Sequence, residues 1–181
     1  MRLDRFDNKA FDRGRPRWVE LLWRMAGDLL VDSWLPGSRW RCWVLRRFGA
    51  RIGRGVVIKP RVRVKFPWRL TTGDHCWIGE SVWIDNLAEV EIGDHCCISQ
   101  GAYLCTGSHD WSRESFDLRV GRIVIEQGSW VGAFARIGPG VTVGAGAVAC
   151  LGAVVVDDLE ACTVWAGNPA RKTGTRRLSS G

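Results

Sequence analysis

The sequence predicts an all-β protein built as a parallel β-helix, with a helical segment before it and a basic tail after it. Three observations support this prediction: aliphatic residues recur at a six-residue spacing, glycine is abundant, and tryptophan and positive charge are concentrated near the N-terminus. The chain has 181 residues, including 22 glycines and 11 tryptophans, and a formal net charge of +7. Its length suits one ordinary domain, and its composition is that of a soluble globular protein rather than a disordered one.

The six-residue spacing is the main evidence for the fold. In an α-helix, with about 3.6 residues per turn, a period of six would rotate successive aliphatic side chains around the helix, whereas short strands joined by corners keep them on one side. Three such hexads form one triangular coil of a β-helix, and we count five coils. The series, aliphatic except at Thr72, consists of Ile52, Ile58, Val64, Thr72, Ile78, Ile84, Ile92, Ile98, Leu104, Ile125, Val131, Ile137, Val143, Ala149 and Val155.

Two further features of the hexads agree with stacked coils. A small or β-branched residue follows most of the aliphatic residues by four positions, as Cys76 and Cys96 do, so two positions per hexad should point inward. Glycine directly follows many of the aliphatic residues, for example at Gly53, Gly79 and Gly132. We expect these glycines to supply the backbone freedom that corners require.

The pattern divides the chain into a helical cap (1–50), a β-helix domain (51–172) and a tail (173–181). The cap contains eleven Lys and Arg residues, six Asp and Glu residues, and five of the tryptophans. Charges at every fourth position between Trp18 and Leu35 predict an amphipathic helix. It could seal the end of the β-helix or form a foot on a membrane surface, since interfacial helices combine tryptophan with arginine. A nucleic-acid partner is not expected, because the repeat gives it little support.

No secretory signal and no run of about 18 apolar residues is present, so we expect a cytoplasmic protein. If the amphipathic helix lies on a membrane, the protein would be peripheral at the inner membrane surface.

The seven cysteines lack CxxC or zinc-finger spacing, which favours buried reduced thiols. His75 and His95 occupy matching corners of successive coils. We expect them to be exposed rather than to bind metal.

The hexad rhythm stops between Leu104 and Ile125, where roughly 13 extra residues are inserted. We interpret residues 107–121 as a loop, and it contains His109, one of three histidines in the chain. Insertions into a regular scaffold commonly hold binding and catalytic groups. Because histidine can accept a proton near neutral pH and return it, His109 is the candidate catalytic residue.

The repeat unit is an aliphatic residue, glycine, two variable residues, a small residue and another variable residue. Together with Trp-Ala-Gly-Asn-Pro-Ala-Arg-Lys at 165–172, it resembles the hexapeptide-repeat acyltransferases. Segments 13–18, 73–80 and 98–110 make nearly the whole chain similar in layout to the colanic-acid-type exopolysaccharide O-acetyltransferases. The resemblance implies a left-handed β-helix, a homotrimer and acetyl-CoA as the acyl donor.

The resemblance also implies a function, the transfer of an acetyl group from acetyl-CoA to a sugar hydroxyl on a free, lipid-linked or polymeric glycan, with His109 as general base. The implied acceptor-site residues are Ser81, Asp85, Asn86, Asp110 and Trp111. The implied donor-site residues are Trp130, Ala133, Leu151, Asn168, Pro169 and Arg171. The basic residues expected near the coenzyme phosphates are Arg171, Lys172, Arg176 and Arg177. Asp110 could orient the imidazole or, being adjacent to it in sequence, point away.

Two other functions stay open at this point. An N-acyltransferase acting on an amino sugar, a nucleotide sugar or an aminated antibiotic would share the repeat, and so would a non-catalytic β-helix scaffold. The chain also departs from the family pattern, with Val156-Asp157 where many members have Thr-Lys and Ser81 where galactoside-type enzymes have asparagine. A zinc site like that of γ-class carbonic anhydrases is not expected, because no histidine follows His109.

Overall fold

The computed structural model describes residues 2–177, so residues 178–181 of the predicted tail lie outside the described part. A 3-10 turn at Leu3–Arg5 precedes α1 (Arg17–Ala26), which continues into a π-helical turn at Gly27–Val31. Helix α2 spans Arg39–Arg47, and another 3-10 turn lies at Pro67–Arg69. No helix in the described residues is long and apolar enough to cross a membrane.

The amphipathic helix predicted between Trp18 and Leu35 ends early, at Val31, where Arg41 binds the carbonyl groups that follow. The guanidinium of Arg41 donates to the main-chain oxygens of Val31 at 3.1 Å, Ser33 at 2.8 Å and Leu35 at 2.5 Å. Carbonyls at a helix end lack hydrogen-bond donors within the helix, and here a buried side chain from α2 provides the donors. Burial lowers the pKa of Arg41 below its usual value.

Helix α2 covers the first coil of the β-helix, while α1 lies against the side of the β-helix and packs through one face. Cys42, Val44 and Leu45 of α2 are buried and join the core. On α1, Trp23 is buried, and its indole N–H donates to the carbonyl of Val64 at 2.9 Å. The opposite side of α1 and its π-helical extension is exposed, although it carries the larger apolar set, which consists of Trp18, Leu21, Leu22, Met25 and Leu29.

Three parallel sheets form the sides of a triangular prism, and the chain visits them in the order A, B, C. Sheet A consists of β1 (Arg51–Ile52), β4 (Leu70–Thr72), β7 (Val90–Ile92), β12 (Ile123–Ile125) and β15 (Thr142–Val143). Sheet B consists of β2 (Val57–Ile58), β5 (Trp77–Ile78), β8 (Cys97–Ile98), β13 (Trp130–Val131), β16 (Val148–Ala149), β18 (Thr163–Gly167) and β19 (Ala170–Thr175). Sheet C consists of β3 (Arg63–Val64), β6 (Trp83–Asp85), β9 (Tyr103–Cys105), β14 (Arg136–Ile137) and β17 (Val154–Val155).

Equivalent strands of neighbouring coils pair in register, so the predicted parallel β-helix is confirmed. Ile58 pairs with Ile78, and Ile78 with Ile98. The five expected coils are complete, and a sixth begins where Leu159 forms a bridge to Val143 and β18 pairs with β16. Strand β19 then turns back antiparallel to β18 and ends the prism.

The aliphatic residues of the hexads form the core of the prism. Ile78, Ile98 and Val131 have no exposed surface, and the small inward residues, such as Ala102, are equally buried. Burying one such aliphatic side chain contributes about 1.5–3 kcal/mol. The spacing therefore fixes which side chains the fold buries.

Glycine after the aliphatic residue has a different role from the one expected. At Gly53 a Cβ atom would lie 2.2 Å from the carbonyl oxygen of Gly73 in the next coil, so a side chain is excluded by the close stacking of coils. Left-handed backbone occurs two residues later and does not require glycine there, since His75 and His95 adopt φ values of 57° and 56°. The glycine pattern thus reflects steric contact between coils more than corner conformation.

The cysteines are free, and three of them are buried as predicted. Cys76 and Cys96 occupy equivalent inward positions one coil apart, and Cys42 lies under α2. The other cysteines differ from the expectation, because Cys162 is exposed and the remaining three, Cys97, Cys105 and Cys150, are half-buried.

Candidate active site

The break in the hexad pattern forms an antiparallel hairpin rather than an irregular loop. Strand β10 (Gly107–His109) pairs with β11 (Leu118–Val120), and His109 lies opposite Leu118. The hairpin leaves the prism after β9, at the corner between sheets C and A, which we call the CA corner. His109 is therefore held at the end of a paired strand.

The imidazole of His109 is oriented by the backbone of the same hairpin. Its Nδ1 atom lies 2.8 Å from the carbonyl oxygen of Phe116. Because a carbonyl only accepts hydrogen bonds, Nδ1 carries the proton and Nε2 of the neutral ring has the free lone pair. The ring also stacks on Phe116, with centroids 4.2 Å apart and planes inclined by 3°. These two contacts present Nε2 as a proton acceptor.

The contacts around His109 involve two phenylalanines that the sequence analysis did not identify. Phe116 adopts a left-handed backbone conformation with φ of 53°, uncommon for an aromatic residue. Phe6, from the N-terminal segment, meets the imidazole edge-on at 5.4 Å, and the nearby main-chain N–H of Arg2 donates to the carbonyl of Glu114 at 2.8 Å. No local pattern connects Phe6 with a residue so distant in sequence.

Asp110 does not orient the imidazole, which corrects one of the two interpretations of this residue. Its carboxylate accepts hydrogen bonds from the Ser112 hydroxyl and from Arg119 Nη2, both at 2.5 Å, and Arg113 lies 3.4 Å away. The bond from Ser112, with a contribution from Arg119, lowers the pKa of Asp110. Asp110 thus closes the hairpin, and the carbonyl of Phe116 performs the orienting role. The neighbouring Trp111 is 85% exposed.

Asp85 lies beside the base of the hairpin. Its carbonyl accepts the main-chain N–H of Thr106 at 3.2 Å. Its carboxylate accepts the Tyr103 hydroxyl at 3.0 Å, and Lys65 Nζ lies 3.2 Å from the other oxygen. Burial raises the pKa of Tyr103. The same face of sheet C carries Trp83, which stacks on Tyr103 at 4.7 Å.

The other two residues expected at the acceptor site do not present side chains at the surface of the CA corner. Asn86 is fully buried, and its side-chain amide binds the main chain of Phe66 through both its oxygen and its nitrogen, at 2.9 and 2.7 Å. It supports the coil and is not placed to meet a ligand. Ser81 is exposed at the corner between sheets B and C, which we call the BC corner.

The residues expected to bind the acyl donor lie on sheet B and the BC corner. Trp130 is half-exposed on β13, and its indole N–H donates to Ser99 Oγ at 2.8 Å. One coil apart at the BC corner, the N–H of Gly152 donates to the carbonyl of Ala133 at 2.9 Å, and Leu151 is 74% exposed. These side chains are accessible along one edge of the prism.

The hairpin β18–β19 provides the remaining donor-site residues. Asn168 and Pro169 form its exposed tip, joined by a cis peptide bond, and Arg171 is exposed on β19. Three of the basic residues expected near phosphates have partners within the protein. Lys172 pairs with Glu160 at 2.6 Å, Arg176 Nη1 donates to the carbonyl of Gly128 at 2.8 Å, and Arg171 Nη1 donates to the carbonyl of Ala170 at 2.9 Å. Arg177 is also exposed, at the end of the described residues.

The two sets of residues occupy different edges of the prism. His109 and Asp85 lie toward the CA corner, and Ala133 and Leu151 at the BC corner. Sheet C separates these corners, and about six residues of extended chain span roughly 20 Å. A single chain therefore does not bring the two sets together.

His75 and His95 stack at the corner between sheets A and B, with ring centroids 5.3 Å apart, and both are exposed as expected. Within residues 2–177 no three His, Cys, Asp or Glu side chains lie together in a way that could hold a metal ion.

The chain is a β-helix built from hexads, and it presents a histidine on a hairpin at one corner. These features place it in the class of hexapeptide-repeat β-helix proteins. No protein-family profile matches the chain. It is 42% identical over 164 residues to the predicted colanic acid biosynthesis acetyltransferase WcaF of Escherichia coli K12, covering 90% of this chain and 89% of that protein. It is 37% identical over 154 residues to nodulation protein L of Rhizobium leguminosarum bv. viciae, covering 83% and 79%.

Solved structures agree with the sequence relatives. A hexapeptide-repeat acetyltransferase from Vibrio cholerae, complexed with acetyl coenzyme A, superposes with a TM-score of 0.79 and 28% identity over 91% of this chain and 92% of that one. The fold is also shared with a maltose O-acetyltransferase from Clostridium difficile, with a TM-score of 0.76 and 22% identity over 90% and 88%. The chain belongs to the hexapeptide-repeat acetyltransferase family.

Proposed function

We propose that this acetyltransferase uses acetyl-CoA to acetylate a sugar hydroxyl, with His109 as general base. The observation that carries the proposal is the hydrogen bond from His109 Nδ1 to the carbonyl of Phe116, which leaves Nε2 free to accept a proton. The likeness to an acetyltransferase complexed with acetyl coenzyme A supports the choice of donor.

The acetyl group passes directly from CoA to the acceptor oxygen. Nε2 of His109 takes the proton of the acceptor hydroxyl as its oxygen attacks the thioester carbonyl. The C–O bond forms, and the tetrahedral intermediate then breaks its C–S bond. The CoA sulfur leaves with the proton held by the imidazolium, so His109 returns to the neutral form and the products are an acetyl ester and free CoA.

Sheet B and the BC corner fit an extended coenzyme arm. Trp130 presents a half-exposed indole, and Ala133 and Gly152 keep the corner shallow, with no atom within 4 Å of the place where a Cβ of Gly152 would stand. Arg171 is exposed, and although its Nη1 donates to the carbonyl of Ala170 at 2.9 Å, it pairs with no carboxylate in residues 2–177, so its charge is available to a phosphate. Many family members have a lysine where this chain has Asp157. Coenzyme contacts from Trp130, Ala133 and Arg171 do not require that lysine.

We place the complete site between subunits of a homotrimer. The CA and BC corners of one chain are roughly 20 Å apart, so His109 of one subunit must meet the BC corner of another. In this arrangement Asp85 and Tyr103 lie beside the acceptor, where a carboxylate and a hydroxyl can bind sugar hydroxyls. A cleft of about 470 Å³ between α1 and sheet C, lined by Arg63, Lys65 and Trp83 among others, continues this surface.

The similarity to the predicted colanic acid biosynthesis enzyme supports an acceptor from polysaccharide biosynthesis. We also propose peripheral membrane contact through residues 1–48, where apolar side chains of α1 are exposed.

The general-base role is tested with a matched pair of histidine variants. Purified protein is incubated with acetyl-CoA and a panel of hexoses, amino sugars and oligosaccharides, and products are identified as esters or amides by mass spectrometry. His109→Asn should lower ester formation by about 10²–10⁴-fold, the usual range for loss of a general base. His95→Asn, at an exposed corner, should retain activity. Full activity of His109→Asn would exclude the mechanism, and amide products alone would indicate N-transfer.

The intersubunit site is tested by complementation. His109→Asn removes the base, and Ala133→Trp fills the BC corner, so each variant alone should be nearly inactive. Subunits of the two variants, mixed under conditions that allow exchange, should regain activity because some interfaces combine an intact hairpin with an intact corner. Absence of recovery in a mixed oligomer would place both functions within one chain.

A further inference from the structure

The exposed apolar side of α1 and its π-helical extension is a surface that the proposed catalysis leaves unused. We call it the α1 face: its members are Trp18, Leu21, Leu22, Met25 and Leu29, each at least 50% exposed. The spacing of three and four residues puts them on one side of the helix. Contiguous apolar surface of this kind marks an interaction site, since isolated soluble proteins rarely expose it.

The prism cannot cover the α1 face, because α1 already uses its other side to pack. Trp23, Gly27 and Val31 are buried against the β-helix, and Glu20 pairs with Arg13 at 2.8 Å. Trp34 and Leu35, which follow the helix, are also exposed and extend the apolar surface.

One end of the α1 face is framed by arginines. A cleft of about 720 Å³ beside Trp18 and Leu22 is lined by Arg15, Arg46 and Arg47. Arg46 is held in place by hydrogen bonds to main-chain carbonyls, with Nη2 donating to Ile52 at 2.8 Å. None of these three arginines pairs with a carboxylate in the part of the chain that the structure describes. The cleft thus joins apolar surface to uncompensated positive charge.

This inference rests on the peripheral membrane contact proposed above and names its ligand: we propose that the α1 face lies on an anionic lipid bilayer, with Trp18 and Leu22 in the headgroup boundary and the three arginines of the cleft binding lipid phosphates. Tryptophan and arginine are the residues that interfacial helices combine, and anionic lipid attracts such a surface. The basic Trp18 end of the α1 face lies deeper in the bilayer than the Leu29 end. Asp28 and Asp32 lie beside Leu29, and anionic lipid repels their charge.

A second copy of the chain fits this surface less well. A two-fold contact with the two copies of α1 parallel would bring the same arginines of both copies together, and like charges at close range oppose association. A bilayer carries the complementary charge.

The test is cosedimentation of the full-length protein with vesicles, which does not depend on transferase activity. Vesicles of phosphatidylcholine alone are compared with vesicles that also contain phosphatidylglycerol. We expect binding to the anionic vesicles, and weaker binding when salt shortens the Debye length from about 10 Å to about 3 Å.

Matched variants locate the contact. Trp18→Gln should weaken binding about tenfold, since it removes one large apolar side chain from the interface. Trp111→Gln, which alters an even more exposed tryptophan on the hairpin, should bind like the unchanged protein. Arg15→Gln and Arg47→Gln should each weaken binding about fivefold.

Three results would overturn the proposal: no binding to anionic vesicles, equal binding to both kinds of vesicle, or equal effects of Trp18→Gln and Trp111→Gln. A change of oligomeric state in Trp18→Gln, measured by light scattering, together with absent vesicle binding, would instead assign the α1 face to a subunit contact. Circular dichroism and thermal unfolding of each variant show whether it folds, and both substituted tryptophans are on the surface.

Discussion

The β-helix body and the N-terminal region bury their side chains by opposite rules. In the body, Ile78 and Ile98 have no exposed surface. In the N-terminal region, Trp18 and Leu29 are 65% and 71% exposed, whereas Arg41 is fully buried. Each coil of the body is a copy of its neighbour and supplies the surface that covers it. The helices have no repeated partner, so an apolar face there can serve something outside the chain.

The largest expected effect tests this contrast directly. Ile98→Ala, in the third coil, should lower the free energy of unfolding by about 2–5 kcal/mol, because neighbouring coils cannot collapse into the cavity. Leu21→Ala, on the α1 face, should change it by no more than about 0.5 kcal/mol. Urea unfolding at one protein concentration measures both. Equal losses would mean that Leu21 is buried by an oligomer contact in solution.

The buried Arg41 gives the next largest effect. Arg41→Met keeps most of the side-chain volume but leaves the carbonyls of Val31, Ser33 and Leu35 without their donor, which should cost about 2–3 kcal/mol of unfolding free energy. Arg39→Met changes an exposed arginine at the start of the same helix and should have little effect. Urea unfolding measures both variants, and equal stability would show that Arg41 does not hold the end of the π-helical turn.

The same contrast explains what the sequence could predict. The hexad period is a local rule repeated in every coil, so it predicted the buried residues and, by its failure, the position of His109. The role of Phe6 depends on a contact between distant parts of the chain, and no periodic rule predicts such contacts. Asn86 was misplaced for a related reason, since its burial depends on the main chain of Phe66 one coil earlier.

The donor- and acceptor-site residues came from family resemblance rather than from the physical pattern. Resemblance assigned Trp130 to the donor site and Asp85 to the acceptor site and implied a homotrimer, but it gave no physical reason why one chain should keep the two sets of residues apart. That separation follows from the three-dimensional path of the coil, and it is why the complete site requires a second subunit in our proposal.

Asp110 provides a pH-dependent test of the hairpin. Its pKa is lowered in the folded protein, chiefly by Ser112, so the stabilisation is present above the unfolded value of about 3.9 and is lost as pH falls through the lower folded value. Asp110→Asn should expose the hairpin amides at neutral pH, with roughly tenfold faster hydrogen exchange at Ser112, because charge-assisted bonds are replaced by weaker ones. It should also abolish the acid-induced change, and persistence of that change would assign it to another carboxyl.

The smallest effect concerns Phe6, which connects the N-terminal region to the catalytic hairpin. Phe6 contacts the His109 ring edge-on, with ring centroids 5.4 Å apart. It acts through that ring and is therefore a positioning residue. Phe6→Ala should lower kcat roughly two- to tenfold with little change in KM, the expected cost of one aromatic contact. Phe6→Tyr, which keeps the ring, should restore most of the activity. Phe11→Ala is the matched control: Phe11 packs under the Arg69 guanidinium, and the ring contacts of His109 in the described residues are with Phe6 and Phe116. If Phe6→Ala and Phe11→Ala lower kcat equally, the N-terminal segment matters only for stability. The position of the His109 ring would then be set by the hairpin alone.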